Sequence, residues 1–596
     1  MATPNVARRI ARGQPAVQAG VMPPNVRRAF TGRKSGWALW LGLVACTSEP
    51  ARDDGTVYLA EQVVGAPAGT TALLVRDGRI VATGDSTLVD DPHAAGAEVL
   101  AFRGAAITPP LVDHHVHLFN VGLTLLNDRD RERLFLDLSR SRSLDDVRAA
   151  VAARAAATPK GGWIIGAGWN QAAWGLGPLP DRTILDAAAP DHPVYLGRSD
   201  GHAGWANGRA LAAGGVEPST ASPMGGTIGH ARDGTPDGVL LERANELLTP
   251  LVPVLADSDV VRAWQLAARA LAERGVTRVY DAGVLPLPGV VAMNAPFERY
   301  LTLLRRTDSL APLPLQVHLM LPAPSPFADS VLSLPPDPAR WTWSPRIRVT
   351  HIKLFVDGAL GSRGAALSHP YADDAATHGV PRMTVEEIRS TAARALDAGL
   401  GVATHAIGDD AVRRTLDAYE QLLTQRPGTT PGRLRIEHFS YASARDMERA
   451  VRLGVVLSIQ GNFNAMPTDV PTFGSARVGA VNEPRVYPWR RLREMGAVLA
   501  DGSDYFTRPG SALAGLLASM ERRYAVGDGL PDVEARARAL ELATRWFAPS
   551  GESQLPQLKS GEPATFVVWS GHPLRVARDS IERITVRALV VDGVRQ

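Results

Sequence analysis

Between residues 100 and 505 the chain repeats one pattern: a short apolar run, a polar loop, a longer amphipathic stretch, then another apolar run. Eight such runs stand out, at 111–117, 276–282, 313–321, 347–356, 401–406, 434–438, 455–459 and 497–501. Runs this short and this uniformly apolar fit strands buried on both faces, as in a parallel sheet. The stretches between them carry helix signals. Thr384, followed three residues later by Glu387, is a capping box, and Ser443 with Asp446 opens a second helix that stops near Gly454. Eight strands alternating with helices predict a (β/α)8 TIM barrel, an α/β fold.

The gap from 117 to 276 is too long for one crossover. An insertion at about 125–255 is therefore expected after the first strand, with strand-like runs of its own at 163–168 and 194–198. Both ends of the chain read as β-structure. Residues 57–108 hold short apolar runs with Asp77-Gly78 as a hairpin signal, and 556–596 end on another run followed by Asp592-Gly593. The two ends are expected to pair into one small β-sandwich, with the barrel spanning 109–555.

Composition sharpens the picture at the N-terminus. The formal charge of the 596 residues is +3, which alone hints at an acidic partner. Residues 1–46 hold Arg8, Arg9, Arg12, Arg27, Arg28, Arg33 and Lys34 and no acid, so that segment carries +7 and the remainder −4. Nucleic acid is thereby not implied. The apolar run GWALWLGLVA precedes Cys46, the single cysteine. It is too short to span a bilayer but suits a signal-peptide core. Residues 43–46 resemble a bacterial lipobox, and Arg27-Arg28 loosely resembles a twin-arginine signal. The expectation is a signal peptide over 1–46, a tether over 47–56, export, and a lipid anchor on Cys46 that holds the protein to a bacterial membrane. One cysteine also excludes a disulfide framework and a cysteine-based zinc site.

Chemistry collects where the apolar runs end. His115 and His117 lie two apart at the end of the first run, so alternation puts both rings on one face, with His114 pointing away as packing or support. A lone pair of this kind fits two packed histidines as well as two metal ligands. The other runs add His405, His438 and Asp504 at their ends, and Lys353 between Ile352 and Leu354. Lysine is scarce here, four residues against 60 arginines, and burial would make its amine neutral. Four histidines, a lysine and an aspartate from five strand ends are hard to explain as packing.

These residues sit in motifs that resemble the metal-dependent amidohydrolase superfamily, and within it amidohydrolase family 3: PLVDHHVH at 110–117, DGHAGW at 200–205, HIKLFVDG at 351–358, HAIGD at 405–409, IEH at 436–438 and GSD at 502–504. The resemblance implies that His115 and His117 hold the more buried metal. Lys353, carbamylated, would bridge to a second metal held by His405 and His438. Asp504 would touch metal and act as general base and acid. It implies one or two divalent ions, zinc by ligand type, and hydrolysis of a C–N bond in a small-molecule amide or N-acyl amine by attack of metal-bound hydroxide. An ester or lactone hydrolase on the same scaffold, or a non-catalytic ligand-binding lipoprotein, are the other readings, and homo-oligomerisation is left open. His202 and Arg363 are candidate substrate contacts, the latter for a carboxylate. Relatives often carry a further histidine after the seventh strand; here residues 458–464 read SIQGNFN.

Overall fold

The computed structural model describes residues 54–126, 134–176, 178–253, 255–283, 297–335, 337–461, 463, 473–504, 532–547 and 551–596. The signal-peptide and Cys46 expectations, and residues 47–53 of the tether, lie outside these residues. No helix among the described residues is long and apolar enough to cross a membrane.

The eight expected runs form one parallel eight-stranded sheet in sequence order. Its strands are β1 (Leu111–Val116), β2 (Val276–Asp281), β3 (Gln316–Pro322), β4 (Ile347–Phe355), β5 (Gly401–Ala406), β6 (Leu434–His438), β7 (Val456–Ile459) and β8 (Val498–Asp501). β1, β5, β6 and β7 are buried at every position, which is why they read as continuous apolar runs rather than alternating ones. β8 returns beside β1, where the Asp504 N–H donates to the His115 carbonyl at 2.6 Å. The sheet thus curls into a nearly closed barrel.

Local signals hold where they can be checked. Thr384 Oγ1 accepts from Glu387 N, and Glu387 Oε2 accepts from Thr384 N, opening helix Val385–Asp397. Ser443 caps helix Ala444–Leu453, which Gly454 ends in the left-handed conformation at φ 68°. Asp77-Gly78 makes the tight turn between strands Ala72–Arg76 and Arg79–Gly84, both residues at positive φ.

The insertion leaves the barrel intact because the helices flanking it pack together. Leu118–Leu125 lies on Asp257–Ala272, and a side chain at Gly122 would run into the Ala263 carbonyl. Between them the insertion builds a six-stranded sheet, ordered 226–230, 236–242, 203–206, 194–198, 164–169 and 136–137. Trp169 and Trp205 meet edge to face in its core. The two chain ends form the expected sandwich. A four-stranded sheet from residues 56–101 faces a five-stranded sheet that joins 62–63 and 106–108 to strands Phe566–Trp569, Val586–Val591 and Val594–Arg595. Tyr58, Leu73, Val75 and Ile80 from one sheet meet Ile107, Phe566, Val568 and Val590 from the other.

Candidate metal centre

The C-terminal end of the barrel gathers the expected residues. His115 Nε2 lies 3.5 Å and His117 Nε2 3.3 Å from the same oxygen, Asp504 Oδ1. These three side chains form a group able to hold a metal ion. The His438 ring lies 4.8 Å from that of His115, and the His405 ring 4.5 Å from that of His438. His405 Nε2 points to the Gly358 carbonyl at 3.4 Å and Asp357 Oδ1 at 3.5 Å, so it sits one ring further from Asp504. Lys353 is fully buried, and its Nζ has no hydrogen-bond partner.

The protons show what the cluster lacks. His115 Nδ1 is 2.6 Å from Glu437 Oε2. Burial would raise Glu437, but Arg435, His115 and Lys353 hold it well below the usual carboxylate range, so it can only accept. Burial drives His115 down to about 4, so the ring is neutral and its one proton is on Nδ1. Its Nε2 lone pair therefore faces Asp504 Oδ1, which is itself an acceptor. Burial alone would raise Asp504 too, yet in acid the protonated imidazoles around it, His115 foremost, hold it far below the usual range, so at neutral pH it is ionised beside the neutral His115 ring. Lone pair facing lone pair in a buried site is a cation-binding arrangement, and N/O donors of these types suit a borderline divalent ion.

The remaining rings are oriented in the same way. His117 Nδ1 donates to the Gly283 carbonyl at 2.7 Å. Gln460 gives its amide N–H to the Ser458 carbonyl, so its Oε1 accepts from His438 Nδ1 at 2.7 Å. Burial lowers His438 to about 3 and leaves Nε2 bare. Burial also lowers Lys353 to about 8, so a neutral amine is present near neutral pH. At the end of β4, Asp357 accepts backbone N–H bonds from Ala366, Ile407 and Gly408, which anchor the loops after β4 and β5.

Backbone irregularities aim several of these groups. Strict alternation would send Glu437 and His438 to opposite faces, but His438 has φ 75° and Phe439 φ 48°, which turns His438 inward beside Glu437. Asp504 likewise sits at φ 49°. The β1–β2 register slips between Asp113 and Val116. His114 stacks on Tyr280 at 4.9 Å and meets Phe547 edge to face, a packing role as expected for it. Arg435 reaches across from β6, pairing with Glu437 and lying 4.8 Å over the Tyr280 ring.

The insertion contributes to the same mouth. His202 lies with its ring 5.2 Å from His405, and its Nδ1 is 3.0 Å from Glu242 Oε2. Burial opposes charge on His202, but Glu242 and Asp200 outweigh it and raise its pKa. Arg363 is drawn aside: it pairs with Asp373 at 2.8 Å, which also binds Arg477. Trp169 is fully buried and belongs to the core of the insertion.

Glu437 and Asp357 stand inside the IEH and HIKLFVDG motifs, where the sequence alone assigns them no role. Gln460, Glu242 and Arg382 carry no local signal, because each acts on a residue far away in the chain.

A nearly closed parallel barrel with a buried histidine–aspartate cluster at its C-terminal mouth is the architecture of a barrel hydrolase. The chain belongs to the amidohydrolase family, whose profile it matches over residues 98–595. It is 28% identical over 534 residues to the N-substituted formamide deformylase of Arthrobacter pascens, covering 88% of this chain and 94% of that protein. It is 31% identical over 456 residues to the protein LONG AFTER FAR-RED 3 of Arabidopsis thaliana, covering 76% and 74%. Among solved structures it resembles a metal-dependent hydrolase from Pyrococcus furiosus, with a TM-score of 0.62 and 26% identity over 87% of this chain and all of that one.

Proposed function

We propose that the protein is a metal-dependent amidohydrolase that cleaves the C–N bond of a small non-peptide amide or N-acyl amine. The observation that carries this reading is the pair of acceptors, the buried His115 Nε2 and the partly buried Asp504 Oδ1, facing each other at 3.5 Å. His115, His117 and Asp504 would hold one divalent ion. Lys353, His405 and His438 would hold a second, and zinc suits the nitrogen-rich donor set. Such an ion would lower the pKa of a bound water towards ~7 and polarise the scissile carbonyl.

The chain's own groups do the rest. Asp504 accepts the proton of the attacking water and returns it to the leaving amine. Glu437 and Gln460 keep His115 and His438 in the tautomer that bares Nε2. His202, brought in by the insertion, faces the substrate side. Carbamylation would turn the unpaired Lys353 amine into a carboxylate-like ligand, which fits its burial beside His115 and His438. The relative that acts on N-substituted formamides supports a C–N bond over an ester.

The test is metal content together with hydrolysis of N-formyl and N-acetyl amines and their ester counterparts. We expect stoichiometric metal, cleavage of amides in preference to esters, and Asp504→Asn at least about 10²-fold slower. Protein without metal and activity indifferent to His115→Ala would refute the reading, and preference for esters would shift it to an esterase. Intact mass in bicarbonate against CO2-free buffer checks Lys353, expected to carry the mass of one CO2 that Lys353→Met lacks. The leader over 1–46 supports export and lipidation at Cys46. Radiolabelled palmitate in the expressing bacterium should mark the wild type and not Cys46→Ser.

A further inference from the structure

A second polar group lies in the mouth, on the side away from Asp504. Arg382 follows the long loop after β4, and its N–H donates to the Val356 carbonyl at 2.7 Å, which pins it beside the end of that strand. Its guanidinium lies 5.5 Å over the Phe355 ring. That ring is 5.6 Å from the His405 ring and 5.1 Å from Lys353 Nζ. Phe355 therefore forms a floor between the metal-ligand candidates and Arg382.

The guanidinium is only half used. Its Nη1 donates to Glu242 Oε2 at 3.1 Å. Nε is buried without a partner, so the Nε–Nη2 edge, which a carboxylate binds side-on, is unpaired. The side chain stays 20% exposed. Glu242 is held rigidly in place. It sits at φ 51°, a strained backbone for a residue with a side chain, and its carboxylate packs on Gly358 and Gly364, where no Cβ would fit. The same carboxylate holds His202. One strained glutamate thus holds both an imidazole and a guanidinium, while the Nε of the arginine is left without an acceptor. Arg363 has no such freedom, being engaged by Asp373.

We infer that Arg382 is the substrate's carboxylate-binding residue, so that the preferred amide carries a carboxylate seated over Phe355. This rests on the reading of the protein as a C–N hydrolase. A single planar monoanion matches the one guanidinium edge left without an acceptor, the other side being shared with Glu242.

The test uses N-formyl amino acids paired with N-formyl amines that differ only in lacking the carboxylate. The wild type should prefer the acids. Arg382→Met should lose roughly 10- to 150-fold in kcat/KM on the acids, mainly through KM, the worth of a hydrogen-bonded charge. On the neutral amines the loss should be smaller by about tenfold or more, because they share only the lost pairing with Glu242. Arg382→Lys should recover part of the loss, since it keeps the charge without the fork. Equal losses on both series, or no preference in the wild type, would overturn the inference. A binding arm separates it from the reading it rests on: 3-phenylpropionate should raise the melting temperature of the wild type and not of Arg382→Met. If neither series is cleaved but this Arg382-dependent protection is seen, the C–N reading fails and the carboxylate site stands. Protection that persists in Arg382→Met, or is absent from both proteins, overturns the site.

Discussion

Two carboxylates, Glu437 fully buried and Asp504 partly so, do opposite work around His115. Glu437 takes the proton on Nδ1, and Asp504 faces the bare Nε2. Glu437 can hold its charge because Arg435, itself fully buried, donates to it at 2.9 Å. Glu437→Gln keeps the shape but halves the acceptor capacity, and its amide can turn an N–H towards the histidine. The expected outcome is a metal affinity about 10- to 100-fold weaker, read by competition with a chromophoric chelator. Lys353 gives a prediction in pH. Burial lowers it to about 8, below its ordinary 10.5. Between those values the unfolded chain holds a proton that the folded chain has released. Stability therefore rises with pH across that window, by ~1.4 kcal/mol per pH unit. Lys353→Met carries no charge to bury. In CO2-free, metal-free buffer its melting point should exceed the wild type's most below pH 8, with the gap closing by pH 10. A gap that stays constant would show that Lys353 is not the titrating group.

Secondary-structure elements turn these residues into a site, and they were unequally legible in the sequence. The eight strands could be read because both faces are buried, and their observed ends fall within three residues of expectation. Asp77-Gly78 and Thr384 announced their turn and cap through local chemistry alone. The register slip between Asp113 and Val116 left no mark in the sequence. Gln460 stands out in the sequence only as part of a stretch, 458–464, that lacks a histidine, yet it orients His438, a relation made only when β6 and β7 pair. The insertion was visible as a gap, with two of its strands near their true places, but nothing local connects Glu242 to His202 or Arg382. Its attachment also depends on one close helix contact. Gly122→Ala would push the helices Leu118–Leu125 and Asp257–Ala272 apart, since the added methyl meets the Ala263 backbone. Overpacking of this kind costs ~1–3 kcal/mol. The melting point should fall, and the preference among substrates should change more than metal content does, because the insertion carries His202 and Glu242 while β1 and β8 carry the metal-ligand candidates.

At the scale of the whole molecule, the metal-ligand candidates span the seam of the barrel. His115 and His117 come from the first strand and Asp504 from the segment after the last. Among the described residues no ladder joins β1 to β8. They are joined by the Asp504 N–H to the His115 carbonyl, by Ser503 donating to Asp113, and by Gly502 lying flush against His115. An ion shared by His115, His117 and Asp504 would therefore bind only a barrel whose seam is shut. Binding confined to the folded state stabilises it by RT ln(1 + [L]/Kd), ~4 kcal/mol at a thousandfold excess over Kd. Chelation should lower the wild-type melting point and leave His115→Ala indifferent. The loss should be local as well. Amide exchange in the chelated wild type is expected to quicken across 111–117 and 498–504, while the hairpin of Ala72–Arg76 and Arg79–Gly84, which lies in the sandwich, keeps its rate. Uniform quickening across both domains would mean that the ion holds the whole molecule together rather than the seam, and no quickening would mean that hydrogen bonds alone close the barrel.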